Sequence, residues 1–483
     1  MRIRAEKRER LRGSGTDPYP VGYPRTRSIA DVRSAFADLP TDTATGEIVG
    51  ITGRVVLNRP TGKLVFATLQ ENGERIQVML PLDGVGADRL DAWKSDVDLG
   101  DHVGITGEVI TSRRGELSVR ASSWAVTAKA LRPLPDKHKG LSDPEARVRR
   151  RYLDLLTNPE ARRLLLARDA VLAALRSGLR DDGYVEVETP VLQVLHGGAA
   201  ARPFVTHSHA LDIDLYLRIA LELYLKRLVV GGIERVYEIG RNFRNEGVDS
   251  THNPEFTMLE FYEAYGDYDS MAERTRALVL AAARAVGGTT VDDGAGGRLD
   301  LEAPWAVRTV HDAVSEATGS SLTADSTQAE LVEVADRAGV ELQPGWNAGQ
   351  IVLELYEQLV EGRTREPTFY RDFPVEVSPL VRNHRKDPRL TERWDLVVLG
   401  RELGTGYSEL VDPVEQRHRL TEQSRLAAGG DPEAMQLDED FLQALEYAMP
   451  PTGGVGIGID RLLMLVTGAT SIRETVTFPL VRQ

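Results

Sequence analysis

Arg241–Tyr268 reads RNFRNEGVDSTHNPEFTMLEFYEAYGDY. A short polar loop, Asp249 to Pro254, separates two strand-like runs, and its turn-rich composition predicts a chain reversal. On a strand, Arg244 and Glu246 before the loop share one face. Phe256, Met258, Glu260 and Tyr262 after it likewise share one. The pair reads as an antiparallel hairpin. An ordinary sheet face is apolar inward and solvated outward. This one mixes a cation, carboxylates and aromatics, which suits a pocket for a charged, partly planar ligand. A solvated edge hairpin is the plainer alternative.

The chain around it has 483 residues and no cysteine. That length predicts two or three domains. The missing cysteine excludes disulfides, cysteine-ligated zinc and thiol catalysis, and fits a reducing, cytoplasmic setting. No apolar run reaches membrane-spanning length, and the Arg-rich N-terminus lacks the apolar core of a secretory signal. A short helix ending near Gly13–Gly15 is expected there. The net charge is −14, which disfavours extensive phosphate binding. The N-terminal helix and the segment Arg113–Arg151 are locally basic, so a limited RNA-binding surface stays open beside the reading of solvated faces.

Residues 1–45 form a lead-in. Residues 46–132 show five short alternating runs with one helical insert at Asp88–Lys94, the pattern of a small Greek-key barrel of the OB type. Phe66 and Gln77 fall on its second and third strands, where an aromatic can stack on an unpaired base and an amide can bond its edge. A Phe in a strand is more often core, and the period does not settle its face. Residues 133–150 read as a linker, and the rest, 151–483, as one larger domain. In it, a helix over Arg162–Arg180 precedes YVEVETP, read as a strand running to Pro190. A second helix is expected over Glu222–Val230. Residues of about 270–380 read as a mostly helical insertion. A two-residue turn at Leu399–Gly400 pairs Val398 with Arg401, making Asp395 and Glu402 diagonal same-face neighbours roughly 7–8 Å apart. Two carboxylates so placed call for a cation, and Mg²⁺ with phosphate is one candidate. Solvated surface acids are the alternative. A helix is expected over Pro413–Ala428. In GVGIGIDR the glycines allow close backbone approach to a ligand, and Arg461 opens the helix that follows. No Walker-type phosphate loop is present.

GYVEVETP, FRNEG…HNPEFTMLEFY and GIGIDR, in that order behind an OB-like barrel, resemble motifs 1, 2 and 3 of the class II aminoacyl-tRNA synthetases. LYLKRLVVGG, YSEL and FPLVR extend the resemblance to the bacterial lysyl-tRNA synthetases of subclass IIb, from about Asp17 to Arg482. The fold implied is α+β, an N-terminal OB-fold barrel followed by a class II catalytic domain whose antiparallel sheet is flanked by helices. The activity implied is the two-step ligation of L-lysine to lysine tRNA through a lysyl-adenylate, with Mg²⁺ on the ATP and a homodimer formed through motif 1, where Pro190 is structural. By the same resemblance, Arg244 holds the amino-acid carboxylate and the α-phosphate, Glu246 the adenine amino group, and His252 and Asn253 the phosphates and the adenine side. Phe256 and Arg461 sandwich the base, and Asp395 and Glu402 hold the metal. Gly198 and Glu222 take the α-ammonium. Glu260, Tyr262 and Glu409 close on the ε-ammonium, with Thr405 and Tyr407 beside the substrate. Phe66 and Gln77 read the central anticodon base, and Glu116 another.

Two arguments from the residues stand beside this. Glu222, Glu260 and Glu409 have no neighbouring basic partner in sequence, so clustering them calls for a cation, and a diamine acid supplies two. Glu402 and Glu409 lie on opposite faces of a regular strand, so both reach one site only if a bulge occurs near Gly404–Gly406. Three positions depart from the family pattern. Leu221 stands where a proline is common, which is expected to alter the approach of Glu222. Asp395 stands for a metal-binding Glu, and Thr405 for an Asn. A lysyl-adenylate-forming paralogue with a non-tRNA acceptor and a non-catalytic RNA-binding relative are the competing readings. The barrel speaks against the first, and Arg244, Asp395, Glu402 and Arg461 against the second.

Overall fold

The structure, a computed structural model, describes residues 1–135, 141–429 and 434–481. The chain divides into two compact units, Met1–Pro159 and Glu160–Gln483.

The first unit is built on β1 (Ala44–Thr61), β2 (Leu64–Glu71), β3 (Glu74–Pro81), β4 (His102–Thr111) and β5 (Leu117–Ala128). They close into a barrel in the order β1-β2-β3-β5-β4, with only the β3–β5 pair parallel. Alternation decides what fills it. Val65, Ala67 and Leu69 of β2 and Ile76, Val78 and Leu80 of β3 are buried inside, so Phe66 and Gln77 point outward. The helix Ala87–Asp96 sends Trp93 into the core, where its indole N–H reaches Asn58 Oδ1 at 3.1 Å. The lead-in also folds onto the barrel. The helices Arg2–Gly13 and Ile29–Ala35 bury Leu11, Ile29 and Val32 in the same core. Of the expected linker, residues 136–140 lie outside the described residues. Beyond them Pro144–Arg149 and Arg151–Thr157 are helical, because Asp143 caps the first with its side chain and Pro144 occupies its opening turn.

In the second unit come β6 (Val185–Glu186), then β7 (Leu192–Gln193), β8 (Val205–Ser208) and β9 (Ile213–Leu217), which pair as β7-β9-β8. They are followed by β10 (Arg235–Phe243), β11 (Glu255–Ala264), the small hairpin β12 (Thr290–Asp292) and β13 (Arg298–Asp300), β14 (Ala306–Thr309), β15 (Thr368–Arg371), β16 (Arg393–Val398), β17 (Arg401–Ser408) and β18 (Thr452–Gly458). Eight of these form one sheet, β14-β15-β16-β17-β18-β11-β10-β6, antiparallel except at its two outermost pairs. The helices Pro159–Asp181 and Tyr268–Ala285 cover one face. They bury Val171, Leu175, Leu278 and Val279 against Leu259, Phe261, Leu396, Val455 and Ile457. The residues alternating with these on β11 and β18 are left for the opposite face.

Two expectations change here. The motif 1 strand is two residues long rather than running to Pro190. Past Val187, whose N–H bonds Tyr237 O at 2.9 Å, the backbone leaves the ladder. Thr189 gives its N–H and hydroxyl to the Glu238 carboxylate instead, at 3.0 and 2.6 Å. The segment read as a helical insertion supplies β14 and β15 to the main sheet. Each has four residues, too few to show a period. Between them three helices within 310–359 form their own core around Leu331, Ile351 and Leu355, closed by Tyr370, Phe373 and Val397. The helices expected at Glu222–Val230 and Pro413–Ala428 are present with those bounds. Arg482, the end of the FPLVR match, lies outside the described residues. Among the described residues no helix is long and apolar enough to cross a membrane.

Candidate functional site

β10 and β11 pair in register from Arg235↔Glu263 to Phe243↔Glu255. The reversal is therefore a hairpin, but Arg244 and Glu246 lie beyond its first strand rather than on it. Arg244 N–H still bonds Pro254 O at 2.9 Å, yet Pro254 has no N–H to return the bond. Asn245 N–H turns to Arg202 O at 2.7 Å. The ladder ends there, and Glu246 accepts from Arg202 N–H at 3.3 Å.

A cavity of about 270 Å³ opens over this hairpin end, lined by Arg244, Glu246, His252, Asn253, Phe256, Glu402, Thr405 and Arg461. Residues far apart in sequence, from motif 2, motif 3 and the turn between Asp395 and Tyr407, thus meet in one place. The Arg244 guanidinium lies 5.2 Å from the centre of the Phe256 ring. Burial works against its charge, and Glu246, Glu402 and Glu260 face it in compensation. Arg461 donates to Glu402 O at 2.9 Å and to His252 Nε2 at 3.0 Å. His252 Nδ1 meets the Asp249 carboxylate at 2.8 Å, so the ring donates there and accepts from Arg461. Asn253 spends its amide N–H on Glu255 O at 2.5 Å and leaves Oδ1 buried without a partner.

Asp460, which sequence patterns did not single out, braces this end of the site. Its carboxylate takes Thr257 N–H at 2.8 Å and pairs with Arg168 at 2.6 Å. Thr257 lies one residue outside the β11–β18 ladder, which begins at Met258↔Gly458. Its free N–H ties β11 to the helix Ile459–Thr467 that carries Arg461.

The turn at Leu399–Gly400 pairs Val398 with Arg401 as expected. Both turn residues have positive φ, 51° and 72°, the backbone of a tight hairpin. The register then slips. Val397 faces Glu402, but Leu396 faces Gly404 and Asp395 faces Thr405. Leu403 is the extra residue of a bulge, just ahead of the place anticipated for one. Because of it Glu402 and Thr405, three positions apart, line the same cavity. Asp395 and Glu402 are consequently not the simple diagonal pair expected. Asp395 is 4% exposed, does not line the cavity, and is held in two contacts by Arg393 at 2.8 and 3.0 Å, with the Thr405 hydroxyl donating at 2.7 Å. The cation beside it is Arg393. Burial, and next to Glu402, raises the Asp395 pKa, while Arg393 opposes. As a direct metal ligand Asp395 does not fit in this arrangement. The Glu402 carboxylate does. It is partly exposed in the cavity, and its closest cation, Arg461, is 3.8 Å away.

The carboxylates meant for the amino acid lie deeper. Glu222, Glu260 and Glu409 are 5, 4 and 1% exposed. The expectation that they lack a cation is overturned. Lys226, fully buried, pairs with Glu222 at 2.5 Å and with Glu409. It stands one turn after Glu222 in the same helix, a spacing that puts the two side chains side by side. The carboxylates expected at opposite ends of the ligand thus share one ammonium. Burial and the charge of Glu222 push Glu260 up to about 7, against the Leu221 N–H, the Tyr262 hydroxyl and Arg244. Burial pushes Glu409 up to about 8, against Lys226. Tyr262 donates to Glu260 at 3.2 Å and is raised well above its ordinary value by burial. Tyr407 is raised by burial too, and faces Arg393 across the strand pair. Glycine is required over this cluster, since a Cβ on Gly454 would come within 2.5 Å of the Tyr262 ring. Gly198, at φ 87°, packs against the start of the helix, where a Cβ would sit 3.1 Å from that of Glu222. Leu221 acts elsewhere than anticipated. Its N–H, which a proline lacks, donates to Glu260 at 3.0 Å.

On the barrel, Phe66, Gln77 and Glu116 line one groove of about 860 Å³ with Arg59, Arg113, Arg114 and Arg120 around them. Gln77 Nε2 donates to Ser118 Oγ at 2.9 Å.

Known proteins are similar to the chain over both units. The model of the class II tRNA synthetases (D, K and N) matches residues 143–482, and that of the OB-fold nucleic acid binding domain matches 45–127. The chain belongs to the class II tRNA synthetases of the D, K and N group. Over its whole length it is 57% identical to a lysine–tRNA ligase of Kineococcus radiotolerans and 55% identical to one of Mycobacterium tuberculosis, covering 97% of each. It is also 55% identical to the lysylphosphatidylglycerol biosynthesis bifunctional protein LysX of Nocardia farcinica, of which it spans 42%. The fold this family membership entails, an OB barrel ahead of an antiparallel-rich catalytic sheet, is the one described above.

Proposed function

We propose that this enzyme ligates L-lysine to lysine tRNA at the expense of ATP. The observation that carries the reading is the join between two environments. A phosphate- and base-sized cavity rimmed by Arg244 and Arg461 lies over the same β11 face that carries Glu260, next to Glu222 and Glu409. Phe256 and Arg461 take the adenine ring between them, and Glu246 accepts from its amino group. His252 and Asn253 serve the phosphates and the adenine side. Arg244 holds the lysine carboxylate against the α-phosphorus. The carboxylate oxygen attacks, the bond to the β-phosphate oxygen breaks, and pyrophosphate leaves. A terminal ribose hydroxyl of the tRNA then attacks the acyl carbon and AMP departs. No side-chain nucleophile is needed, because positioning and charge stabilisation carry such steps. Mg²⁺, when bound, neutralises charge on the triphosphate, and Glu402 is the residue suited to hold it with water and phosphate oxygens.

Three buried carboxylates share one fixed lysine in the deep pocket, and burial holds Glu260 and Glu409 partly protonated until a further cation arrives; the two ammonium groups of lysine suit that demand. Gly198 and Glu222 lie towards the α-ammonium, and Glu260, Tyr262 and Glu409 towards the ε-ammonium, with Thr405 and Tyr407 alongside. In the barrel, Phe66 offers a stacking face, Gln77 and Glu116 offer polar edges, and the arginines around them suit a phosphate backbone. The exposed apolar run that includes Val185, Val191, Leu192 and Val194, each 38–62% exposed, supports a homodimer through motif 1. A cytoplasmic enzyme fits this activity.

Lysine-dependent exchange of pyrophosphate into ATP tests the reading. Exchange is expected with lysine and lost in Arg244→Ala. Failure to exchange with any amino acid would refute it. Charging of lysine tRNA by the full chain separates tRNA ligation from adenylate formation for another acceptor.

A further inference from the structure

Arg244 makes one side-chain hydrogen bond among the described residues, from Nε to Ile219 O at 3.4 Å. The two terminal nitrogens of its guanidinium are left for a ligand, and a planar fork held by its stem can meet two anions at once. Where that fork points depends on the Ile219 carbonyl. Ile219 is fully buried and belongs to the link of residues 218–221 between β9 and the helix Glu222–Val230.

Arg218 anchors this link on two sides. Its backbone N–H donates to Val191 O in the motif 1 segment, and its carbonyl accepts from Phe243 N–H at the end of β10, each at 2.9 Å. Its buried guanidinium donates from Nε to Arg241 O at 2.8 Å, and from Nη1 to Glu238 at 2.7 Å and Thr189 O at 3.0 Å. A Cβ on Gly240 would collide with Nη2, so β10 is bare where the side chain crosses it. One residue therefore holds both the backbone that leads into Arg244 and the carbonyl that the Arg244 side chain bonds. We propose that Arg218 is a positioning residue for adenylate formation, aiming the Arg244 guanidinium through the Ile219 carbonyl. The proposal rests on the reading of Arg244 as the residue that meets the lysine carboxylate and the α-phosphate.

Stability alone does not account for this arrangement. In a buried ion pair such as Arg218–Glu238, desolvation offsets much of the attraction, and the net contribution to folding is small. What the pair supplies is geometry. A guanidinium grips Arg241 O, Glu238 and Thr189 in fixed directions, which the point charge of an ammonium does not. When the link slides, the fork of Arg244 moves with it, and a small misplacement originating away from the reacting atoms lowers a rate steeply.

Arg218→Lys keeps the charge beside Glu238 and loses the fork. Arg218→Met with Glu238→Gln removes both charges together, an exchange that leaves stability nearly unchanged, and it decides if the lysine variant does not fold. The measurement is calorimetric titration of the full chain with lysyl-sulfamoyl-adenosine, a stable analogue of lysyl-adenylate, because the stoichiometry counts only folded sites. Each variant is expected to bind the analogue about tenfold more weakly than the wild type. In an Arg244→Ala background the same changes should alter the affinity by less than about twofold. A merely structural role would weaken binding equally in both backgrounds or would only lower the number of sites, and either result overturns the proposal. Arg244→Ala alone separates the two levels. If it leaves the affinity unchanged, the underlying assignment of Arg244 fails. If it weakens binding while the Arg218 variants do not, only the role given to Arg218 fails.

Discussion

Lys226 and Glu222, one helical turn apart, form an ion pair of 2.5 Å in which the lysine is wholly buried. A second carboxylate, Glu409, meets the same ammonium from the strand side of the pocket. An ammonium in an apolar surrounding is costly unless paired. Burial lowers the Lys226 pKa, but the two carboxylates more than reverse that and raise it. Lys226→Met should therefore do more than trim a side chain. It leaves Glu222 and Glu409 facing each other without a cation. The expected loss is about 3–5 kcal/mol of folding stability, measured by denaturant unfolding. Lysine at saturating concentration should recover part of it, since the ligand brings ammonium groups of its own.

The pH dependence of stability follows from the same cluster. The folded-state pKa of Glu260 is pushed up to about 7 and that of Glu409 to about 8, above the ordinary 4.5 of an unfolded glutamate. Between these values the folded chain holds more protons than the unfolded one, so raising the pH costs stability. The ligand-free enzyme should melt at a lower temperature at pH 8.5 than at pH 6 as far as these groups decide it. Lysine binding must displace those protons at the lower pH. The thermal shift produced by saturating lysine should accordingly be larger at pH 8.5. A shift independent of pH would remove these two groups from the lysine pocket.

Much of this was legible in the sequence, and the reasons are local. β11 reads out its two faces because strict alternation puts Leu259 and Phe261 in the core and Glu260 and Tyr262 opposite. The turn at Leu399–Gly400 is set by two residues and its pairing follows. The bond between Lys226 and Glu222 is within reach of the helical spacing rule. Its bond to Glu409 is not, because nothing local links positions so far apart in the chain. β14 and β15 escape for a different reason, since four-residue strands carry no period and owe their place to the sheet they join. The Leu221 N–H is invisible because a backbone donor leaves no mark on residue identity except where proline would remove it.

The barrel groove and the catalytic cavity should fail independently. Phe66 points out of a barrel whose inner positions are filled by Val65 and Ala67, so Phe66→Ala removes a stacking surface without opening the core. Stacking of one base is worth about 1–3 kcal/mol. The KM for tRNA should rise accordingly in charging assays, while lysine-dependent pyrophosphate exchange, which needs no tRNA, stays at the wild-type rate. A parallel loss of exchange would mean that Phe66 supports the fold.

Asp395 and Glu402 should separate in their metal dependence. The bulge at Leu403 turns Glu402 into the cavity and sets Asp395 opposite Thr405, where Arg393 and the threonine hydroxyl engage both of its oxygens. Glu402→Gln removes the carboxylate suited to Mg²⁺ and should raise the metal concentration needed for half-maximal exchange by about tenfold or more. Asp395→Asn instead leaves the half-buried Arg393 without its counter-charge. Its main cost should fall on stability, about 3–5 kcal/mol, with the Mg²⁺ requirement near that of the wild type. The opposite ordering would mean that Asp395 abandons Arg393 for the metal when ATP binds. A metal titration of pyrophosphate exchange, run beside denaturant unfolding of the same two variants, distinguishes the cases, because only a ligand to the metal changes the first without needing to change the second.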